Sequence, residues 1–262
     1  MLLENKNAVI FGAGGGIGGG VARTFAREGA RVFLAGRSRD RLDAVAKEIA
    51  DAGGSAEVAV VDALDEQAVE EHARVVAARA GSIDVSVNLI SRGDVQGIPL
   101  VEMTTADFLR PITTGITANF ITARAAARHM IGQGSGVILA LDSGSANGSP
   151  MMGGTGPADA ATDTLIRNLA AEVGPHGVRV LGLWTAGVPE TLSPQRLASV
   201  NSNLTLDDAA FQGLLDRLAE MRMLRRSPRL AEVADAAAFL ASDRAAAITG
   251  TFVNVTGGIF AS

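Results

Sequence analysis

Ala8-Val9-Ile10-Phe11, running into Gly12-Ala13-Gly14-Gly15-Gly16-Ile17-Gly18, decides the fold. The first four residues are a short apolar run of the kind that forms a buried strand. The glycines permit a tight turn and let backbone amides come close to a ligand. A helix starting there aims free N–H groups and the positive end of its dipole at that ligand, which suits a pyrophosphate. A glycine-rich string alone is a weak signal. Placed between the first strand and first helix of a β-α-β unit, it is a strong dinucleotide-binding signal, assigned to Gly12, Gly14, Gly16, Ile17 and Gly18.

The rest of the chain supplies that context. Asn7–Phe11 is a predicted strand followed by a helix to about Glu28. Strands at Arg31–Ala35 and Ala56–Val61 lead into helices over Asp40–Asp51 and Asp65–Ala80. Ser82–Leu89, Gly136–Leu141 and Val178–Leu183 read as three more strands. Such alternation predicts a doubly wound α/β sheet of parallel strands with helices on both faces. No repeats or low-complexity linkers interrupt it, so residues 1–262 are expected to form one domain. Gly144–Gly156 reads as an ordered loop. Ala186–Arg226 is a long insertion beyond a strand's carboxyl end, with a helix around Leu206–Met221, and is expected to act as a substrate lid.

Bulk properties exclude several classes. The chain has 262 residues, 47% hydrophobic and 19% charged, which fits a globular fold rather than disorder. A net charge of −5 offers no footprint for nucleic acid or an anionic membrane. No apolar run reaches the roughly 18 residues of a membrane span, and no signal peptide is read, so a cytoplasmic location is expected. Zero Cys removes thiol chemistry, and three scattered His (His72, His129, His176) make a metal site improbable.

The second strand ends Leu34-Ala35-Gly36-Arg37-Ser38. An acidic residue there would bind the 2′-hydroxyl of NAD. Arg37 and Ser38 suit a 2′-phosphate, so NADP is favoured over NAD; the alternative is that Arg37 is a solvated surface charge.

With those residues in view, the chain resembles the short-chain dehydrogenase/reductase family over nearly its whole length. Gly12-x-x-x-Gly16-x-Gly18 matches the family's glycine spacing, with Phe11 where Thr is usual. Val61-Asp62-Ala63 resembles its adenine-contacting segment, and Ile83–Asn88 its fourth strand. The tail Arg229–Ala234, Ile248-Thr249-Gly250 and Thr256-Gly257-Gly258 also fits. The resemblance implies a Rossmann-type sheet of seven strands in the order 3-2-1-4-5-6-7, cofactor contacts at Asp62, Ala63 and Asn88, and a homo-oligomer, tetramer or dimer.

The catalytic positions depart from the family. Its Asn-Asn-Ala-Gly motif is Asn88-Leu89-Ile90-Ser91 here, its helix Asn aligns with Gly115, its Tyr with Thr155 and its Lys with Asp159. Only the Ser survives, as Ser143, and the chain contains no Tyr at all. In the family the Lys lowers the phenol's pKa from about 10 towards working pH. An aliphatic hydroxyl at Thr155 is far too weak an acid for that task, and a negative charge at Asp159 shifts a neighbour the wrong way.

Asp159 is expected to keep the Lys's other task, accepting bonds from the nicotinamide ribose; its plain alternative is a helix first-turn charge. Asp142, at the end of an apolar strand, is a candidate general acid if burial raises its pKa, and a turn-capping carboxylate otherwise. If the two lie together they are expected to titrate as a pair. Ser143 is a candidate oxyanion donor. Three readings stay open: an NAD(P)-dependent oxidoreductase with a non-standard proton donor acting on a small, fairly apolar molecule; a non-redox dehydration or cyclisation enzyme using the carboxylates; and a catalytically silent nucleotide-binding sensor or partner subunit.

Overall fold

Period-two alternation in the first strand, β1 (Asn7–Phe11), sends Ala8 and Ile10 to one face of a sheet and Val9 and Phe11 to the other. Both sets are buried, so the strand lies inside the molecule rather than at its edge. In the computed structural model, which describes residues 1–201 and 203–261, six further strands join it. They are β2 (Arg31–Gly36), β3 (Ser55–Val60), β4 (Val85–Asn88), β5 (Gly136–Asp142), β6 (Val178–Trp184) and β7 (Phe252–Asn254). All neighbours pair in parallel, in the order β3-β2-β1-β4-β5-β6-β7. This is the expected doubly wound α/β sheet.

One face is covered by α1 (Gly16–Arg27), α2 (Arg39–Asp51) and α8 (Leu230–Ala241), whose Phe25, Leu42, Ile49 and Leu240 pack on Ile10, Leu34 and Leu139. The other is covered by α3 (Glu66–Ala80), α4 (Thr105–Gln133) and α5 (Thr155–Val173), with Val76, Met130 and Ile166 against Val9, Phe33 and Ile138. Each such side chain contributes about 1.5–3 kcal/mol by leaving water.

Three boundaries differ from the sequence expectation. Strand β4 starts at Val85 rather than Ser82, because the Asp84 carboxylate accepts from Asn7 N–H at 2.7 Å and from Ser82 Oγ at 2.8 Å, turning residues 82–84 into a cap. The loop read as Gly144–Gly156 contains a single 3-10 turn at Ser145–Asn147, and its last two residues already belong to α5. The segment read as a lid carries α7 (Asp208–Glu220), as expected, and also the unforeseen α6 (Pro194–Val200), which Ser193 caps by accepting from Arg196 N–H. Residue 202, inside that stretch, lies outside the described residues.

Candidate active site

The carboxyl ends of β1, β2 and β3 open onto a groove lined by Phe11, Gly12, Gly14, Gly15, Arg37 and Asp62 among others. Gly12 has φ +79°, and a Cβ there would lie 2.5 Å from the carbonyl oxygen of Leu89. The turn therefore requires glycine. Helix α1 begins beyond it with no side-chain cap and no acidic residue in its first turn, leaving its first amides to a ligand. Arg37, Arg41 and Arg196 all border the groove, and none of them is in an ion pair among the described residues. This cationic, amide-rich cradle fits a phosphorylated dinucleotide.

Of the residues expected to hold such a ligand, Gly12, Gly14, Arg37, Ser38, Asp62 and Ala63 line the groove. Asn88 does not: it is buried, donating from Nδ2 to Asn119 Oδ1 at 3.1 Å and accepting from Ile90 N–H at 3.3 Å, so it pins β4 to α4. Gly16, Ile17 and Gly18 form the start of α1 rather than the lining.

At the ends of β4 and β5, period-two alternation places Asp142 on the same face as Ile138 and Ala140, against α5. On α5, Thr155, Asp159 and Asp163 recur every four residues and share the stripe that faces it. Asp159 is fully buried. Its Oδ2 accepts from Ser143 Oγ at 2.6 Å, Ser145 N–H at 2.8 Å and Ser143 N–H at 3.2 Å, and its Oδ1 accepts from Arg92 Nη1 at 2.5 Å. Both oxygens are thus occupied within the protein. The expectation that Asp159 accepts from a ribose gives way to a carboxylate that ties the turn after β5 to Arg92.

Arg92, in the loop after β4, also approaches Asp94 at 3.3 Å, and Asp94 accepts from Thr155 Oγ1 at 2.9 Å. Burial works against the Arg92 cation, but the charges of Asp94 and Asp159 outweigh it, and its pKa ends above the ordinary value. Its side chain passes α4 at Gly115, where a Cβ would lie 2.7 Å from Arg92 Cδ. The glycine at 115, the arginine at 92 and the acid at 159 are therefore one arrangement. A side chain at 115 would close the path, and without Arg92 the buried Asp159 would lack a cation.

Asp142 accepts from Gly144 N–H at 2.9 Å through Oδ1, while Oδ2 is buried with no hydrogen-bond partner among the described residues. Burial, followed by the charge of Asp159, pushes its carboxyl up to about 9, so it is protonated at neutral pH. Asp163 is also raised, chiefly by burial, against the Trp184 Nε1–H bond at 3.3 Å and the nearby Arg167. Asp142 feels the charge of Asp159 without a hydrogen bond between them; it is both turn-capping and protonated.

Trp184 walls the end of β6, stacked on Phe252 with ring centroids 5.7 Å apart and edge-on to Phe260 at 5.6 Å. His176 is exposed, and His129 sits at the outer surface of α4 beside Glu70 and Arg74. Sequence reasoning missed Arg92, Asp94, Asp163, Arg41 and Arg196. Arg92 had a readable signal: losing a Lys to an acid while losing the helix Asn to Gly calls for a cation from a third element.

A family profile described as "Enoyl-(Acyl carrier protein) reductase" matches residues 12–259. The chain is 34% identical to an L-rhamnose 1-dehydrogenase (NAD(P)(+)) of Azotobacter vinelandii, covering 99% of this chain and 98% of that one. Among solved structures it is similar to a short-chain type dehydrogenase/reductase from Mycobacterium marinum, at 29% identity and TM-score 0.82, over 99% of this chain and 97% of that one. It shares its fold with an NAD+-bound xylitol dehydrogenase, with TM-score 0.87 at 24% identity, over 98% and 100% of the two chains.

Proposed function

This chain belongs to the short-chain dehydrogenase/reductase family, and from that premise we propose that it is an NAD(P)-dependent oxidoreductase with a rebuilt active site. The observation that carries the proposal is the groove: a glycine turn, an uncapped helix start and three unpaired arginines converge there. Arg37 and Ser38, with no acid at the end of β2, favour NADP over NAD. When bound, the nicotinamide supplies a two-electron donor or acceptor.

The protein's own residues do the rest. The first amides of α1 and Arg37, Arg41 and Arg196 hold phosphates. Trp184 and Phe260 give the substrate end an apolar wall, which suits a small, fairly apolar molecule under the lid at residues 186–226. Ser143 is the partly exposed polar group at that end, and Asp159 and Arg92 fix its position. The Tyr and Lys of the family pattern are replaced by Thr155 and Asp159, whose polar atoms are already paired with Asp94 and Arg92, so proton transfer follows a different route. The protonated Asp142 behind Ser143 is the proton source we assign. The protein is proposed to act in the cytoplasm as a homo-oligomer.

A second reading, a nucleotide-binding sensor or partner subunit, is favoured by one observation: the polar groups of Thr155 and Asp159 are already engaged by protein partners. Titration with NADPH tests both readings, followed by Trp184 emission and by thermal shift. Neither signal changing removes both. Binding without reduction or oxidation of any alcohol, aldehyde or ketone in a broad panel leaves the sensor.

A further inference from the structure

Asn147 is the chain's only asparagine followed by glycine; the others precede Lys, Ala, Leu, Phe, Ser or Val. It ends the 3-10 turn Ser145–Asn147, and both it and Gly148 are exposed. Gly148 has φ +95°, and a Cβ built there would meet nothing within 4 Å. The space beside its backbone nitrogen is therefore open, with no side chain of its own to crowd an approach. Two bonds hold the pair in place. Gly148 N–H donates to Ser145 O at 3.2 Å, and Asn147 Nδ2 donates to Gly144 O at 3.1 Å. Both belong to a short 3-10 turn, whose hydrogen-bond geometry is poor, at an exposed stretch that opens at little cost. Once they open, the nitrogen of Gly148 can reach Cγ of Asn147.

We propose that Asn147 is a modification site of this protein, deamidating spontaneously with the Gly148 nitrogen as nucleophile and loosening the turn after β5. That nitrogen bonds to Cγ, its proton joins the side-chain amine as departing ammonia, and the Cγ–Nδ2 bond breaks to give a cyclic imide. Water then opens the ring on either side. Attack at Cγ leaves Asp. Attack at the main-chain carbonyl leaves isoaspartate, whose backbone runs through the side chain and is longer by a methylene. Water is consumed and ammonia released, and nothing is oxidised or reduced. Either product disturbs the turn. Gly144 O accepts from Asn147 twice, from its N–H at 3.2 Å and its Nδ2 at 3.1 Å. A carboxylate at 147 has no proton to donate and sets an acceptor against that carbonyl. Gly144 N–H in turn donates to Asp142 Oδ1 at 2.9 Å, and Ser145 N–H to Asp159 Oδ2 at 2.8 Å. The reaction therefore acts on the segment that ties Asp142 and Asp159 to the end of β5. It needs neither cofactor nor substrate, so it proceeds in an oxidoreductase and in a sensor alike.

Ageing the full-length protein at physiological temperature and pH, followed by peptide mapping in a mass spectrometer and isoaspartyl methyltransferase labelling, reads the reaction directly. A sample mapped without ageing corrects for conversion during digestion. The expected result is conversion of Asn147 to a mixture of Asp and isoaspartate, ahead of every other asparagine. Retention of the Asn147 amide, or faster loss at another asparagine, overturns the assignment. The consequence for the turn is read by hydrogen exchange in Asn147→Asp, which carries one of the two products from the start. The amides of Gly144 and Ser145 should exchange about fivefold faster than in the natural protein, the scale of one lost hydrogen bond. Unchanged exchange at those amides would show that the turn is indifferent to the modification and overturn its structural half. Exchange raised across the whole chain rather than at the turn would overturn that half equally, because the effect would then be a global loss of stability.

Discussion

Arg92 Nη1 donates to Asp159 Oδ1 at 2.5 Å, across a site where the aspartate side chain is 0% exposed and the arginine 13%. A buried pair of this kind is costly to break from one side, because the remaining charge stays in a medium that cannot solvate it. Arg92→Met is expected to lower unfolding stability by about 3 kcal/mol, at the low end for such a loss because Asp159 keeps three other donors. Asp159→Asn in that background should then cost much less than it does alone. Urea denaturation of the four proteins of the cycle measures this, and strictly additive effects would show that the two residues do not act as a pair.

Gly115 gives a test in which the sign is informative. Replacing a mid-helix glycine by alanine ordinarily stabilises by up to about 1 kcal/mol. Here the new methyl would meet Arg92 Cδ at 2.7 Å, and Arg92 cannot give way easily because its guanidinium is held by Asp159 and Asp94. Gly115→Ala should therefore destabilise by about 1–3 kcal/mol in the natural protein. In an Arg92→Ala background the same substitution should stabilise. Thermal melts of both pairs decide it, and the same sign in both backgrounds would sink the account.

The alternation of apolar runs and the glycine turn made the sheet legible in the sequence, since strand period and turn chemistry are local properties. Asn7–Phe11 coincides with β1, and the order of strands followed from the family resemblance. The site was legible only in part. Position 142 could be recognised as a carboxylate at the end of an apolar strand, and its protonation follows from the burial foreseen there. The partners of Asp159 could not be read, because Arg92 lies 67 residues away and reaches it through a gap created by a third residue on another helix. The partner of Asn88 was hidden for a related reason: a polar residue at a strand end looks the same in sequence whether or not it bonds, as here, to Asn119 on a neighbouring helix.

Asp142 predicts a pH dependence with a definite direction. In the folded protein burial and the charge of Asp159 push its pKa up to about 9, against an ordinary value of 3.8. Between those limits the native state binds more protons than the unfolded chain, so stability falls as pH rises. Asp142→Asn imitates the protonated carboxyl and does not titrate. The stability of the natural protein minus that of the variant should be largest near pH 4 and decline towards pH 9, by at most about 1.4 kcal/mol per pH unit. Guanidinium denaturation at pH 5, 7 and 8.5 measures the difference, and other titrating groups largely cancel in it. A difference independent of pH would mean that Asp142 is ionised in the native state.

Arg37 and Arg196 border the groove from different elements, one from the end of β2 and the other from the segment read as a lid. If both meet phosphate, they should differ in what they discriminate. Arg37→Asp places a negative charge where a 2′-phosphate would lie. It should weaken NADPH by about 10- to 100-fold, the loss of one charge-assisted bond or slightly more, and leave NADH little changed. Arg196 comes from the lid, so Arg196→Ala should weaken NADPH and NADH alike, and reduce the salt dependence of both, as the loss of a contact to a phosphate they share would. Isothermal titration at two ionic strengths separates these patterns. Equal losses of both cofactors in Arg37→Asp would refute the 2′-phosphate assignment. An unchanged salt dependence in Arg196→Ala would leave α6 as a cover over the groove with no electrostatic part in holding its ligand.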